Sequence, residues 1–143
     1  MSNLKLFLKQ NKIQKKNTFY PATKSLTDEN GNPLEWEIRA VSTNDTEKIR
    51  ESCTIEVPVT GKPGVFRPKV NSSLFASKLT AAAIVYPDLN DKELQDSYGV
   101  MTPEDLIKEM VDDPTEYNNL ISFVQSYNGF DETLQEKVDE AKN

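Results

Sequence analysis

Residues 102–129 read TPEDLIKEMVDDPTEYNNLISFVQSYNG, and helix signals follow one another here in the order that helix ends require. Thr102 offers a side-chain oxygen to the orphan N–H groups of a first turn, and Pro103 fits the first helical position, where no N–H is needed. Glu104 and Asp105 then place negative charge at the positive end of the helix dipole. Leu106, Ile107, Met110 and Val111 form one apolar stripe. Asp113-Pro114-Thr115-Glu116 repeats the start signal, with Glu116 at the position of a reciprocal capping box. Tyr117, Leu120, Ile121, Val124 and Tyr127 recur at helical spacing, and Gly129 is placed to close the helix. Two capped, amphipathic helices are predicted side by side.

Working outward, helical habit extends back to Asn71. Phe75, Leu79, Ala82 and Tyr86 mark one face of a helix that Pro87 stops. A short helix is expected over 91–97, ending at Gly99, and a last one from Asp131 with Leu134, Val138 and Ala141. The first half differs. Asp28-Glu29-Asn30-Gly31-Asn32-Pro33 is a turn, because Asn and Gly tolerate positive φ and Pro cannot join a ladder. Leu34, Trp36, Ile38 and Ala40 alternate with Glu35, Glu37 and Arg39, the period of a half-buried strand. Its hairpin partner is expected around 23–27. Ser42 caps a helix to Ser52, with Asp45 in its first turn. Residues 54–59 and 65–70 favour β structure and form either a second hairpin or a long extended loop. Leu4, Phe7 and Leu8 share one face of a short helix over 3–10. The fold class is therefore α+β: a single domain over 1–143, with a mixed helix and antiparallel β-hairpin part (1–70) and a predominantly helical part (71–143).

Composition bounds what such a domain does. The 143 residues hold 17 basic and 23 acidic side chains, a net charge of −6. So acidic a chain argues against a nucleic-acid partner, since phosphate binding relies on Lys and Arg displacing counterions. Lys9, Lys12, Lys15 and Lys16 read as a solvated edge. Leu, Ile, Val and Phe supply 35 of the 143 residues, enough for a modest core. The N-terminal apolar residues are interrupted by Lys5 and Lys9, which leaves no secretory core, and no apolar run approaches the roughly 20 residues that span a bilayer. A cytoplasmic protein with no membrane partner is expected, so Asn44-Asp45-Thr46 and Asn71-Ser72-Ser73 read as chance glycosylation sequons.

Histidine is absent from the sequence. That removes Ser–His and Cys–His nucleophile pairs, the zinc-protease helix motif and most transition-metal sites. The single cysteine, Cys53, excludes an intramolecular disulfide; it reads as structural, although Arg50 one turn earlier would favour its thiolate if the two side chains met. Glycosidase-type chemistry needs only two carboxylates. The pairs Glu35/Glu37, Glu104/Asp105, Asp112/Asp113 and Glu136/Asp139/Glu140 all have simpler explanations as strand exteriors, helix N-termini or solvent faces. Residues 28–31 lack the spacing of a calcium loop, and Gly61-Lys62 lacks the rest of a phosphate loop. No catalytic residue, cofactor or metal site is expected. Phe123, off the main stripe of its helix, is either a partner contact or packs on Phe130, with packing the better reading.

Four stretches, in order, resemble the XkdN-like tail assembly chaperones of phages and PBSX-like prophages of Gram-positive bacteria. They are Leu4-Lys5-Leu6-Phe7-Leu8-Lys9-Gln10-Asn11 with its Lys-rich continuation, and Asp28 through Ala40 leading into a helix. The third is Phe66-Arg67-Pro68-Lys69-Val70 before the Ala-rich helix that Tyr86-Pro87-Asp88-Leu89 closes. The fourth is Thr102 to Ile107 with Asp113 to Leu120, ahead of Asn128-Gly129-Phe130. The resemblance implies a non-enzymatic protein in the bacterial host cytoplasm that binds the aggregation-prone tape measure protein, and also the tail tube protein, until tube polymerisation displaces it, and that is absent from the mature virion. It further implies that a frameshift near Lys142-Asn143 can yield a longer form. The alternative within the same setting is a structural tail completion or head–tail connector component. Leu4, Phe7 and Leu8 are the candidate surface for client binding or self-association.

Overall fold

The computed structural model describes residues 3–130, so the helix expected from Asp131 lies outside the described residues. Ten elements follow two short 3-10 turns at Asn3–Phe7 and Lys9–Asn11. They are β1 (Thr18–Tyr20), β2 (Trp36–Ile38), α1 (Thr43–Ser52), β3 (Thr54–Pro58), β4 (Phe66–Val70), α2 (Ser72–Ala83), β5 (Ile84–Tyr86), α3 (Lys92–Ser97), α4 (Pro103–Met110) and α5 (Pro114–Tyr127). The result is a mixed α+β fold, with strands and helices interleaved up to β5 and helices alone after it among the described residues.

β2 is the hub. It pairs antiparallel with β1 on one side and β5 on the other, in the order β1-β2-β5. Trp36 and Ile38 point into the core from its buried face. There they join Ile84 from β5, Leu106, Ile107, Met110 and Val111 from the α4 segment, and Leu120 and Val124 from α5. α2 lies at the centre of the helical layer and packs on α1, α4 and α5.

Two expectations about the strands are corrected. The partner of β2 is not the segment around 23–27 but β1, pairing Tyr20 with Trp36 and Thr18 with Ile38. Pro21 lacks an N–H and ends β1. Beyond it, Thr23 Oγ1 and the Lys24 N–H donate to the two carboxylate oxygens of Glu116, 2.7 and 2.8 Å away on α5, so this backbone is satisfied by a helix instead of a ladder. Only Thr27 returns, in one bridge to Pro33. The second correction concerns Tyr86. α2 ends at Ala83, and Tyr86 belongs to β5, not to a helical face. The β-branched pair Ile84-Val85 before Tyr86-Pro87 favours extended backbone, and Ile84 finds its place beside Ile38.

The caps largely follow the residues. Ser42, Asn71, Asp91, Thr102 and Asp113 each accept a backbone N–H from the first turn of their helix. Glu116, however, does not complete a capping box, because both its oxygens serve Thr23 and Lys24. Asp113 instead takes the N–H groups of both Thr115 and Glu116 through Oδ1. Asp113→Ala is therefore expected to lose about 1–2 kcal/mol in urea unfolding, the upper part of the usual range for a lost cap. The turn at 28–33 is closed by Asp28 Oδ1, which accepts from Asn30 and Asn32, with Gly31 at φ +84°. The second hairpin is real: β3 and β4 pair from Thr54–Val70 to Pro58–Phe66.

Candidate interaction surfaces

A concavity of about 660 Å³ is lined by Lys24, Ser25, Asp112, Asp113, Thr115, Glu116 and Asn119. Three acids meet there, but two of them have work inside the fold. Asp113 caps α5, and Glu116 ties residues 23–24 to it. Glu37 accepts from the Asn17 side chain on the outside of the sheet at 2.7 Å. Glu104 and Asp105 occupy the first turn of α4. Glu136, Asp139 and Glu140 lie outside the described residues. Among the described residues, no cluster of three or more Asp, Glu or Cys side chains is arranged to hold a metal ion.

Cys53 caps the C-terminus of α1 and is buried. The Arg50 guanidinium lies over the Phe75 ring instead, 5.2 Å from its centroid, a cation–π contact. Phe123 packs, as expected, but on a different ring: it stacks on Tyr20 at 4.3 Å and also faces Tyr127. Phe130 meets Phe75 edge-on at 6.3 Å. These pairs are tertiary choices that helical spacing does not reveal.

Lys15 is exposed, but it is tied to the body. Its ammonium donates to the Tyr127 carbonyl at the last turn of α5 and lies 4.1 Å from that residue's ring centroid. A cation there meets the negative end of the helix. With Asn17 bonded to Glu37, this contact fixes the point at which the N-terminal arm leaves the body. Before it, Asn3–Phe7 and Lys9–Asn11 form two 3-10 turns, not the one short helix expected over 3–10, and bury none of their side chains. The Asn11 side chain reaches back to the Lys5 carbonyl. Leu4 and Phe7, three apart, fall on one side of the first 3-10 turn, and Leu8 follows in extended backbone between the two turns. Phe7 is 82% exposed, and Leu6 and Ile13 add 73% and 93%. The arm presents apolar surface to water.

A second apolar surface has no counterpart in the sequence reading. The β3–β4 hairpin exposes Ile55, Val65 and Phe66. Its β-favouring residues were legible, but not that the ribbon would stand clear of the core.

No helix among the described residues is long and apolar enough to cross a membrane. Comparison with known proteins adds the family. XkdN of the phage-like element PBSX, from Bacillus subtilis strain 168, is 24% identical over 141 residues, covering 99% of this chain and 94% of that protein. YqbN of the same strain is 26% identical over 141 residues, covering 99% and 93%. The crystal structure of YqbN superposes with a TM-score of 0.75 at 22% identity, covering 91% of this chain and 98% of that one, which shows a shared fold. The model of the phage XkdN-like tail assembly chaperone proteins matches residues 4–142. The chain therefore belongs to the phage XkdN-like tail assembly chaperone family.

Proposed function

We propose that this chain binds the tape measure protein, and also the tail tube protein, and keeps its client soluble until the tail tube polymerises. It does so in the host cytoplasm and leaves before the particle is complete. Family membership points to binding of tail proteins and not to catalysis. The observation that carries the reading is the N-terminal arm: Leu4, Phe7 and Leu8, with Leu6 and Ile13, hold apolar surface in water on a chain of net charge −6. Exposed apolar patches mark interaction sites, and net charge keeps their carrier soluble.

Co-expression with the tape measure protein of the same element tests this. The client is expected in the soluble fraction and to co-purify with this chain. A client left insoluble and unbound, with this chain recovered in purified particles, would instead identify a structural tail component. Removing residues 1–12 is expected to weaken client binding tenfold or more. Covering a large apolar side chain is worth about 1.5–3 kcal/mol, and tenfold requires only about 1.4. Undiminished binding by the truncated chain would remove Leu4, Phe7 and Leu8 from the client surface.

A further inference from the structure

The β3–β4 hairpin packs chiefly on itself, with Ile55 at 52% and Phe66 at 58% exposure. A two-stranded ribbon is marginal in water unless something covers it. Its register decides how that happens. The Val59 N–H donates to the Val65 carbonyl, and the Asn71 N–H to the Cys53 carbonyl, in one continuous pairing. Odd-numbered residues thus turn their backbone groups inward, and even-numbered ones turn them toward the outer edges. Pro58 on β3 and Pro68 on β4 are both even-numbered. Each outer edge therefore lacks a donor, the usual protection against an added strand.

What remains is the face. Paired residues share a face, so Ile55, Val57 and Val59 stand beside Lys69, Arg67 and Val65. This is an apolar row with two cations along one side, on a chain whose net charge is −6. Both cations are exposed, and among the described residues neither has an ion-pair partner. At its foot is a shallow depression of about 270 Å³ bounded by Ile55, Val57 and Lys69.

We infer that this face docks an amphipathic α-helix of a partner protein, with its apolar stripe on Ile55, Val57, Val59 and Val65 and its carboxylates on Arg67 and Lys69. The spacing fits. Alternate residues on a strand lie about 7 Å apart, and carboxylates four residues apart on a helix are separated by about 6 Å of rise. Five strand residues span about 17 Å, the length of roughly 11 helical residues. This surface deepens the chaperone reading, on which it rests, by naming the chemistry of the client segment.

Two synthetic helical peptides of about 14 residues, sharing one Leu stripe but flanked by Glu in one and Lys in the other, are titrated into the full-length chain and followed by fluorescence anisotropy. The Glu peptide is expected to bind. The double variant Arg67→Glu, Lys69→Glu should bind it at least tenfold more weakly and gain affinity for the Lys peptide. Glu56→Lys, on the opposite face, should change either affinity less than twofold. Equal binding of both peptides, binding of neither, or indifference to the charge reversal would overturn the proposal. So would a wild-type dimer in sedimentation that the reversal dissociates, since the occupant would then be a second copy. Unchanged thermal unfolding of the variants confirms that the exposed positions left the fold intact. Pull-down with the tape measure protein separates the two readings. A client kept by wild type and lost by the double variant supports both, and a client kept by both overturns the hairpin surface alone. A client that even wild type fails to retain overturns the chaperone reading, and the peptide titration then decides the hairpin face by itself.

Discussion

Trp36→Ala is expected to lower unfolding stability by about 3–5 kcal/mol, the cost of emptying a large aromatic site in a close-packed core. Trp36 is only 2% exposed and lies on the central strand, where it shares the core with Leu106, Ile107, Leu120 and Val124. Those neighbours come from two helices that are held against the sheet by other contacts, so little of the cavity can collapse. For a domain of this size each kcal/mol moves the melting temperature by roughly 2–4 °C. A fall on the order of 10 °C should accompany the change, and Trp36→Phe, which keeps a ring in place, should lose markedly less. Urea unfolding checks this through a shifted midpoint with unchanged slope. A loss below about 1 kcal/mol would mean that Trp36 does not hold the two layers together.

Glu116→Ala should cost about 2–3 kcal/mol, more than an ordinary surface carboxylate would. Its oxygens accept from Thr23 Oγ1 and from the Lys24 N–H, and Thr23 is itself buried. Alanine is at home in the first turn, so intrinsic helix propensity does not account for the loss. The segment after Pro21 would keep Ala22 and Leu26 on the core, but the backbone donor of Lys24 would lose its protein partner. A double-mutant cycle with Thr23→Val isolates the pair. A coupling on the order of 1 kcal/mol is expected, and simple additivity would show that the carboxylate acts only on its own helix.

How much of this was legible depended on distance along the chain. The caps at Ser42, Asn71, Thr102 and Asp113 concern residues two or three apart, and they follow from residue type. β5 was hidden for the opposite reason. Ile84 and Val85 continue the apolar run of α2, and their local preference for extended backbone becomes a strand through pairing with β2, far upstream. Glu116 sits where a capping box would use it, but a tertiary partner takes both oxygens. Likewise Phe123 was readable as a packing residue, whereas its choice of Tyr20 over Phe130 was not. Of the candidate surfaces, the Leu4, Phe7 and Leu8 pattern was visible in the spacing. The hairpin face was not, because exposure depends on what the rest of the chain leaves uncovered.

The link between Thr23 and Glu116 also sets an order of events during synthesis. The buried face of β2 is completed only by α4 and α5, so Trp36 waits for Leu120 and Val124 to leave the ribosome. At about 5–20 residues per second, about 90 intervening residues take roughly 4–18 s. Throughout that interval the nascent chain displays a tryptophan-bearing strand to water, and sequences that delay translation beyond residue 40 would lengthen the exposure. Slow codons between β2 and α5 should therefore lower soluble yield more than equally slow codons before β2.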